Sequence, residues 1–142
     1  NLIKHYINKN HKLTIETNAS LNIDFQEEYQ KNILFSMSVK LSNSLEPLKK
    51  RVNKSTLTKI LENTKESYLK FVIGNDFLEN AIVEIEDILK NIPQCEVYLM
   101  PLGDSSETID INSEKVVNLA IKYGFKYSDR LHIRIWNNKR GV

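Results

Sequence analysis

The alternation of short apolar runs with amphipathic stretches is the feature that most constrains the fold of this chain. Apolar runs predict strands at residues 12–17, 33–38, 68–73, 96–100 and 130–136. Apolar residues three and four positions apart predict helices at residues 2–8, from about 55, 77–92 and 113–123. Because strands and helices alternate, we expect an α/β fold in which parallel strands are joined by right-handed crossover helices.

Local signals mark the ends of the predicted helices. Ser55 is the expected N-cap of the second helix, because its hydroxyl can accept a hydrogen bond from a free N–H of the first turn. Pro93 ends the third helix, and Gly124 supplies the left-handed C-cap of the fourth. Glu84 and Glu86 are expected on the solvated side of the third helix.

Composition indicates one globular domain that spans residues 1–142. Hydrophobic residues make up 41% of the chain and charged residues 27%, which is enough to bury one core. The 20 basic and 18 acidic residues leave a net charge of +2. This excess is too small to indicate nucleic-acid or membrane binding by charge alone, so any basic site must be local.

The sequence contains one cysteine and no membrane span. No apolar run approaches the roughly 18 residues that a span needs. Cys95 has no partner for a disulfide, which favours a reducing compartment, and we therefore expect a cytoplasmic protein in which Cys95 is structural. The amino terminus lacks methionine and has the pattern of a helix interior, so we expect an interior start of a longer chain and no signal peptide.

Polar residues follow two of the predicted strands, and ligands of parallel α/β folds bind at the carboxyl ends of strands. Thr17 and Asn18 either contact a polar heterocycle or form a turn that Asn18 caps. Ser38 and Lys40 are suited to sugar hydroxyls or a carboxylate, or belong to an ordinary solvated loop. The sequence leaves both alternatives open.

The fourth and the last predicted strands carry further candidate residues. After the fourth, Met100 and Gly103 would present backbone groups to an adenine or form a plain strand exit. In the last, His132 is either a ligand contact or a core histidine. Metal-ligand spacing, a phosphate-binding glycine loop and a nucleophile triad are absent from the sequence.

The last predicted strand leads into a basic tail. Alternation would place Leu131, Ile133 and Ile135 on a packed face. The opposite face and the tail would then carry Arg130, His132, Arg134, Trp136, Lys139 and Arg140. Cations beside an aromatic ring suit phosphate contact or base stacking, although a generic basic surface has the same composition.

Four motifs in order along the chain resemble 7-carboxy-7-deazaguanine synthase, a radical S-adenosylmethionine (SAM) enzyme family. They are Glu-Thr-Asn at 16–18, Ser-Met-Ser-Val-Lys-Leu-Ser-Asn-Ser at 36–44, Val-Tyr-Leu-Met-Pro at 97–101, and Leu-His at 131–132 with Trp-Asn-Asn-Lys-Arg-Gly-Val at 136–142. The last motif is the specific one. The resemblance covers essentially the whole chain but only the carboxyl-terminal part of the family.

The resemblance implies the carboxyl-terminal sector of a partial (β/α) radical-SAM barrel, in which residues 1–142 are part of a single domain. The family's amino-terminal part carries a three-cysteine loop for a [4Fe-4S] cluster and a Mg²⁺ site, and this sequence has neither. The implied activity is that of a carbon–nitrogen lyase of queuosine biosynthesis. It contracts the ring of 6-carboxy-5,6,7,8-tetrahydropterin to give 7-carboxy-7-deazaguanine. This segment alone is expected to be inactive.

The resemblance also implies roles for individual residues. The expected SAM contacts are Ala19, Ser38, Val39, Lys40, Met100, Pro101, Leu102 and Gly103. The expected substrate contacts are Thr17, His132 and the terminal carboxylate of Val142, which would accept hydrogen bonds from the N–H groups of the pterin edge. No catalytic residue or metal ligand is implied in this segment.

The chain departs from the family at some of these positions. Ala19 stands where the family usually has glycine, and Val39 where it often has proline. Met100 and Gly103 replace a glutamine and an aspartate of many members. These departures concern contacts with the cofactor and leave the expected fold unchanged.

The expected partners follow from the family. They are the small-molecule pterin, a flavodoxin-like electron donor and a second copy in a homodimer, without membrane or nucleic acid. An alternative function is a non-enzymatic nucleic-acid-binding α/β module that uses the basic tail. A further alternative is a free-standing half that pairs with a separate cluster-bearing chain.

Overall fold

The computed structural model describes residues 2–139 and 141 and contains one sheet of five parallel strands. The strands lie in the order β1 to β5 and are β1 Leu13–Thr17, β2 Ile33–Ser38, β3 Tyr68–Ile73, β4 Val97–Pro101 and β5 Lys126–Tyr127. Each strand pairs with the next one in the sequence, and every pairing is parallel. The predicted α/β class with parallel strands is confirmed.

Helices connect the strands. They are α1 Leu2–Asn8, α2 Leu48–Arg51, α3 Lys54–Asn63, α4 Leu78–Leu89, α5 Ser106–Tyr123 and α6 Leu131–Trp136. Single 3-10 turns lie at Glu28–Asn32 and Ser42–Ser44. Within the described residues, no helix is both long enough and apolar enough to cross a membrane.

One face of the sheet forms the hydrophobic core. Alternate residues of the strands are buried there together with the inner sides of α3, α4 and α5. The strand residues of this cluster are Ile33, Phe35, Met37, Leu69, Phe71, Ile73, Val97 and Leu99, and the helix residues are Leu57, Ile60, Ala81, Ile85, Ile88, Val116 and Ala120. We call this the covered face.

The opposite face of the same strands is only partly buried. Residues on β3 and β4 alternate strictly between fully buried and half-buried side chains, and on β1 the outer positions are exposed. The half-buried positions include Lys70 and Val72 on β3 and Tyr98 and Met100 on β4. Parallel sheets normally have both faces covered. We call this second side the uncovered face.

Two helix starts differ from the predicted ones. The N-cap of α3 is Asn53 and not Ser55, because the Asn53 side chain accepts a hydrogen bond from the Thr56 N–H at 3.1 Å. Helix α5 begins at Ser106 and not at Ser113. Its cap is Ser105, which exchanges side-chain and backbone hydrogen bonds with Thr108, so a reciprocal capping box overrides the weakly amphipathic first turns.

The prediction that residues 130–136 form the last strand is wrong. Strand β5 consists of Lys126–Tyr127 alone, and residues 131–136 form α6. The Arg130 carbonyl accepts hydrogen bonds from the N–H groups of Ile133 and Arg134, which closes a helical turn. Only Ile133 of the expected packed face is buried, whereas Leu131 is 64% exposed and Ile135 is 55% exposed.

The prediction that Glu84 lies on the solvated side of the helix is also wrong, whereas Glu86 is exposed as predicted. The Glu84 carboxylate accepts hydrogen bonds from the Arg51 guanidinium at 2.8 Å and from the N–H of Ser42 at 3.1 Å. It accepts a further bond from the Ser42 hydroxyl. The carboxylate therefore joins α4 to α2 and to the loop after β2, a long-range contact that helical periodicity cannot reveal.

Candidate functional site

The carboxyl edge of the sheet brings together the residues predicted at strand ends. In the ladder Thr17 lies opposite Met37, Ser38 opposite Lys70, and Val72 opposite Met100. Strands β1, β2 and β4 therefore present their predicted residues on the same edge. Ser38 and Met100 are half-buried on the uncovered face, which makes them accessible from the side that the helices leave open.

The chain leaves β1 through a tight turn. The Thr17 hydroxyl oxygen accepts a hydrogen bond from the Ala19 N–H at 3.1 Å, and the Asn18 side chain accepts from the Ser20 N–H at 3.1 Å. Asn18 therefore caps a turn, which is the structural alternative stated above. Ala19 is buried and has a φ of 53°. This left-handed conformation favours glycine.

The exit of β2 is more ordered than the predicted polar loop. Val39 is buried in the core, and its N–H donates to the Met37 carbonyl at 3.0 Å. Leu41 is buried as well, and only Lys40 between them is exposed, with its Nζ 3.7 Å from Glu46. Since the Val39 side chain belongs to the core, Ser38 and Lys40 are the side chains that a ligand can reach here.

The exit of β4 packs against the first turn of α5. Pro101 is buried, whereas Leu102 is largely exposed and donates its N–H to the Ile73 carbonyl at 2.8 Å. A Cβ on Gly103 would lie 2.7 Å from Ile109 Cγ1 and 2.9 Å from the Ile109 backbone nitrogen. Gly103 therefore allows helix α5 to approach the strand, a constraint that exists without any ligand.

Arg130 is brought to the same edge, although the sequence assigned it only to a basic face. Its Nη1 donates to the Gly103 carbonyl at 3.0 Å, and its Nε lies 3.4 Å from the sulfur of Met100. Arg130 thus connects the start of α6 to the exit of β4. The sequence could not reveal this contact because it depends on the turn that ends β5.

Residues 131–136, predicted as part of the last strand, lie in α6, and their positions differ accordingly. His132 is exposed on α6 and does not lie at a strand end. The Arg134 guanidinium pairs with Asp110 and Asp129, and these hydrogen bonds raise the pKa of Arg134 above its ordinary value. Its charge is therefore used within the fold. Val142 and Arg140 lie outside the described residues.

A polar cluster on the uncovered face was not predicted as a unit. The Nζ of Lys70 on β3 lies 3.4 Å from the carboxylate of Glu16 on β1, with β2 between the two strands. Ser36 on β2 is fully buried, and its Oγ has no hydrogen-bond partner among the described residues. The available signal was a lysine in the middle of an otherwise apolar strand, residues 68–73.

A separate cavity of about 1070 Å³ lies at the amino ends of β3 and β4, and Cys95 lines it. Burial raises the pKa of the Cys95 thiol to about 11, so the thiol is protonated near neutral pH. At the same end, a hydrogen bond from Lys126 lowers the pKa of Glu96. This end is remote from the predicted site residues, because it is the opposite edge of the sheet.

The described part of the chain offers no metal centre. It contains no group of three or more histidine, cysteine, aspartate or glutamate side chains that could hold a metal ion. Within the described residues, the carboxyl edge presents the hydroxyl of Ser38, the ammonium group of Lys40 and the apolar side chain of Met100.

Comparison with known proteins identifies relatives that share one name, 7-carboxy-7-deazaguanine synthase. The relative from Pyrobaculum aerophilum is 31% identical over 109 residues, which are 75% of this chain and 45% of that protein. For Rhodopirellula baltica the identity is 30% over 95 residues, 66% of this chain and 36% of the relative. For Halobacterium salinarum the identity is 26% over an alignment 148 residues long, which covers 88% of this chain and 54% of the relative.

The chain therefore spans about half, or less, of the length of the curated relatives that it matches. These shares are consistent with a carboxyl-terminal portion. No protein-family model matches the chain, and no solved structure matches it.

Proposed function

Because this chain is a homologue of 7-carboxy-7-deazaguanine synthases, we propose that it is the carboxyl-terminal part of such an enzyme. The proposed reaction is the ring contraction of 6-carboxy-5,6,7,8-tetrahydropterin to 7-carboxy-7-deazaguanine with loss of ammonia, a step toward queuosine-type deazapurines. In this assignment the chain supplies the wall of the site that holds SAM and the pterin.

The uncovered face of the sheet is the observation that carries the proposal. A parallel sheet that is covered by helices on one side only is the expected form of a barrel sector, because a barrel's inner face is not occupied by its own crossover helices. We propose that the uncovered face is the inner wall of a partial (β/α) barrel. A ligand bound there would contact Ser38 and Met100 at the carboxyl edge.

The residues at this edge fit SAM. The half-buried Met100 side chain and the turn through Pro101 and Leu102 offer apolar surface to an adenine ring, and Ser38 offers a hydroxyl for the sugar. At the exits of β1 and β2, Ala19 and Val39 have buried side chains and would contribute backbone groups. When bound, SAM would supply the radical that starts the reaction.

Two of the proposed cofactor contacts, Gly103 and Lys40, also have contacts within the fold. Gly103 packs against α5, so its presence is explained by the fold alone. Lys40 already pairs with Glu46, although at 3.7 Å and on the surface, where the pair contributes little. A ligand anion could therefore replace Glu46 as the partner of Lys40 at small cost.

The proposed pterin contacts are Thr17, His132 and the terminal carboxylate of Val142. Thr17 follows β1, where its oxygen already accepts from the Ala19 N–H, so its hydroxyl hydrogen is available to a ligand acceptor. His132 on the exposed surface of α6, close in sequence to Arg130, stays a candidate substrate contact. The terminal carboxylate of Val142 is proposed to bind the N–H groups of the pterin ring.

The residues of this chain do not fit a [4Fe-4S] cluster. Such a cluster needs several thiolates, whereas the sequence contains Cys95 alone, at the amino edge of the sheet. The raised pKa of Cys95 also disfavours the thiolate that binds metal. In the proposal, the ligands of the cluster and of Mg²⁺ therefore come from polypeptide outside this sequence.

The decisive experiment uses the complete natural polypeptide that contains this chain, purified and reconstituted with iron and sulfide without oxygen. Incubation with SAM, a reductant and 6-carboxy-5,6,7,8-tetrahydropterin is expected to give 7-carboxy-7-deazaguanine, measured by mass spectrometry. Cleavage of SAM without this product would contradict the substrate assignment. Absence of both reactions in a cluster-containing protein would contradict the proposed function.

A deletion tests the proposed role of the carboxyl terminus. Removal of Gly141 and Val142 is expected to weaken pterin binding about tenfold, because a bidentate charge-assisted contact is lost, while SAM binding stays within about twofold. Replacement of Val142 by alanine is the matched control, since it keeps the terminal carboxylate. Equal loss of SAM and pterin binding, or no loss of either, would show that the tail is structural.

A further inference from the structure

Lys70 is a charged residue in a position where a parallel sheet is normally apolar. Its neighbours Leu69 and Phe71 are fully buried on the covered face, and Lys70 itself lies on the uncovered face with only 13% of its side chain exposed. In the ladder it stands opposite Ser38 on one side and Tyr98 on the other. Lysine is seldom this buried unless its ammonium group has a partner.

The partner within the chain is a weak one. Glu16 lies two strands away, its carboxylate is 3.4 Å from the Lys70 Nζ, and its side chain is 77% exposed. An exposed carboxylate loses little by returning to water, so this pair contributes little to stability. Glu16 therefore does not account for the burial of the lysine.

The serine between the two charged residues supplies a second, independent observation. Ser36 lies opposite Glu16 in the ladder, and alternation with the buried Phe35 and Met37 puts it on the uncovered face. Its Oγ is fully buried and has no hydrogen-bond partner among the described residues. A buried hydroxyl without a partner is costly, so a hydrogen bond to a bound group would offset that cost.

We propose that Lys70 and Ser36 bind the carboxylate of a small-molecule ligand on the uncovered face, in place of Glu16. An ammonium group and a hydroxyl are both hydrogen-bond donors, and a carboxylate accepts from both. Glu16 acts as an exchangeable counter-ion that keeps Lys70 paired when the ligand is absent. The inference rests on the proposed function only for the source of the carboxylate, which is either the pterin acid or the methionine end of SAM.

The test compares ligand binding by the complete polypeptide and three variants. Lys70→Met removes the charge and keeps the length of the side chain, Glu16→Gln removes the counter-ion, and Lys59→Met is the matched control. Lys59 lies on α3 in a surface pair with Asp24. Equilibrium dialysis measures SAM binding, and competition measures 6-carboxytetrahydropterin against tetrahydropterin that lacks the carboxylate.

Lys70→Met is expected to weaken binding of one carboxylate ligand by roughly 10- to 100-fold, the effect of a lost hydrogen bond between charged groups. If the pterin acid is that ligand, the variant loses its preference over the pterin without a carboxylate. If SAM is that ligand, its dissociation constant rises instead. Lys59→Met should bind as tightly as the wild type. Glu16→Gln should bind slightly more tightly, because the ligand no longer has to displace the Glu16 carboxylate.

Two results would overturn the inference. One is unchanged binding of both ligands by a folded Lys70→Met protein, as judged by an unchanged melting temperature. The other is an equal loss of binding in Glu16→Gln, which would make the ion pair structural. Failure of the proposed function is a different result: the wild type then forms no deazaguanine, whether or not Lys70 binds carboxylates.

Discussion

The two faces of the sheet use the same five strands in opposite ways. On the covered face, alternate strand residues such as Leu69, Phe71 and Leu99 are fully buried against the helices. The uncovered face carries Lys70 and also Ser36, whose hydroxyl has no hydrogen-bond partner in the part of the chain that the structure describes. The first face is organised for burial of apolar area, whereas the second keeps donors available.

This difference separates what stabilises the chain from what it can bind. Burial of apolar area is non-directional and needs only side chains of suitable shape and size. A polar group without a partner is costly on the covered face, because it would be removed from water. A binding surface needs directed donors that water or a ligand can satisfy. The functional assignment therefore depends on the uncovered face, and substitutions on the two faces should have different effects.

Neighbouring residues of β4 provide the largest expected difference. Leu99→Ala removes a fully buried side chain from the covered face and should lower the free energy of unfolding by about 2–5 kcal/mol. Met100→Ala removes a half-buried side chain from the uncovered face and should cost about 1 kcal/mol. Urea unfolding measures both values. Equal costs would show that the second face is also packed in solution.

Two ion pairs with largely buried cations, Arg51–Glu84 and Lys70–Glu16, should differ next. Glu84→Gln weakens the contacts of a carboxylate that binds Arg51 and Ser42, with only 9% of the Arg51 side chain and 24% of the Glu84 side chain exposed. We expect a loss of about 2 kcal/mol. Glu16→Gln on the uncovered face should cost less than about 1 kcal/mol, because Glu16 is well solvated.

Salt provides the control for this pair of variants. The small effect of Glu16→Gln should disappear at high ionic strength, where surface pairs are screened, whereas the effect of Glu84→Gln should persist. Unfolding in urea with and without added sodium chloride measures the difference. A persistent, large cost of Glu16→Gln would make the Lys70 pair a stabilising element and would contradict its role as an exchangeable counter-ion.

The smallest expected effect lies at the turn after β1, where the covered face meets the carboxyl edge. Ala19→Gly should raise the free energy of unfolding by about 0.5–1 kcal/mol, because glycine adopts the left-handed backbone with a φ of 53° without strain. Ala120→Gly in α5 is the control and should lower stability by about 1 kcal/mol. A loss in both variants would show that the Ala19 methyl contributes more by packing than it costs in strain.

Much of the sheet could be read from residues close together in the sequence. The runs that form β2 and β3 are bounded by turn residues and match the predicted strands, and Gly124 caps α5 with a φ of 67° as expected. The wrong prediction of a strand at residues 130–136 has a long-range cause. Residues 130–136 alternate like a strand, but the contacts of Arg130 with Gly103 and of Arg134 with Asp110 hold them as a helix.

The sequence by itself determined the α/β class, the parallel orientation of the strands and the resemblance to 7-carboxy-7-deazaguanine synthase, because these depend on local periodicity and on short motifs. Only the tertiary structure decided which face of the sheet is open, and it brought Lys70, Ser36 and Glu16 together from three different strands. The physical reason is that burial and pairing arise from residues far apart in the chain. The alternation of residues along a strand determines the face of the sheet on which a side chain lies, whereas tertiary packing determines what covers that face.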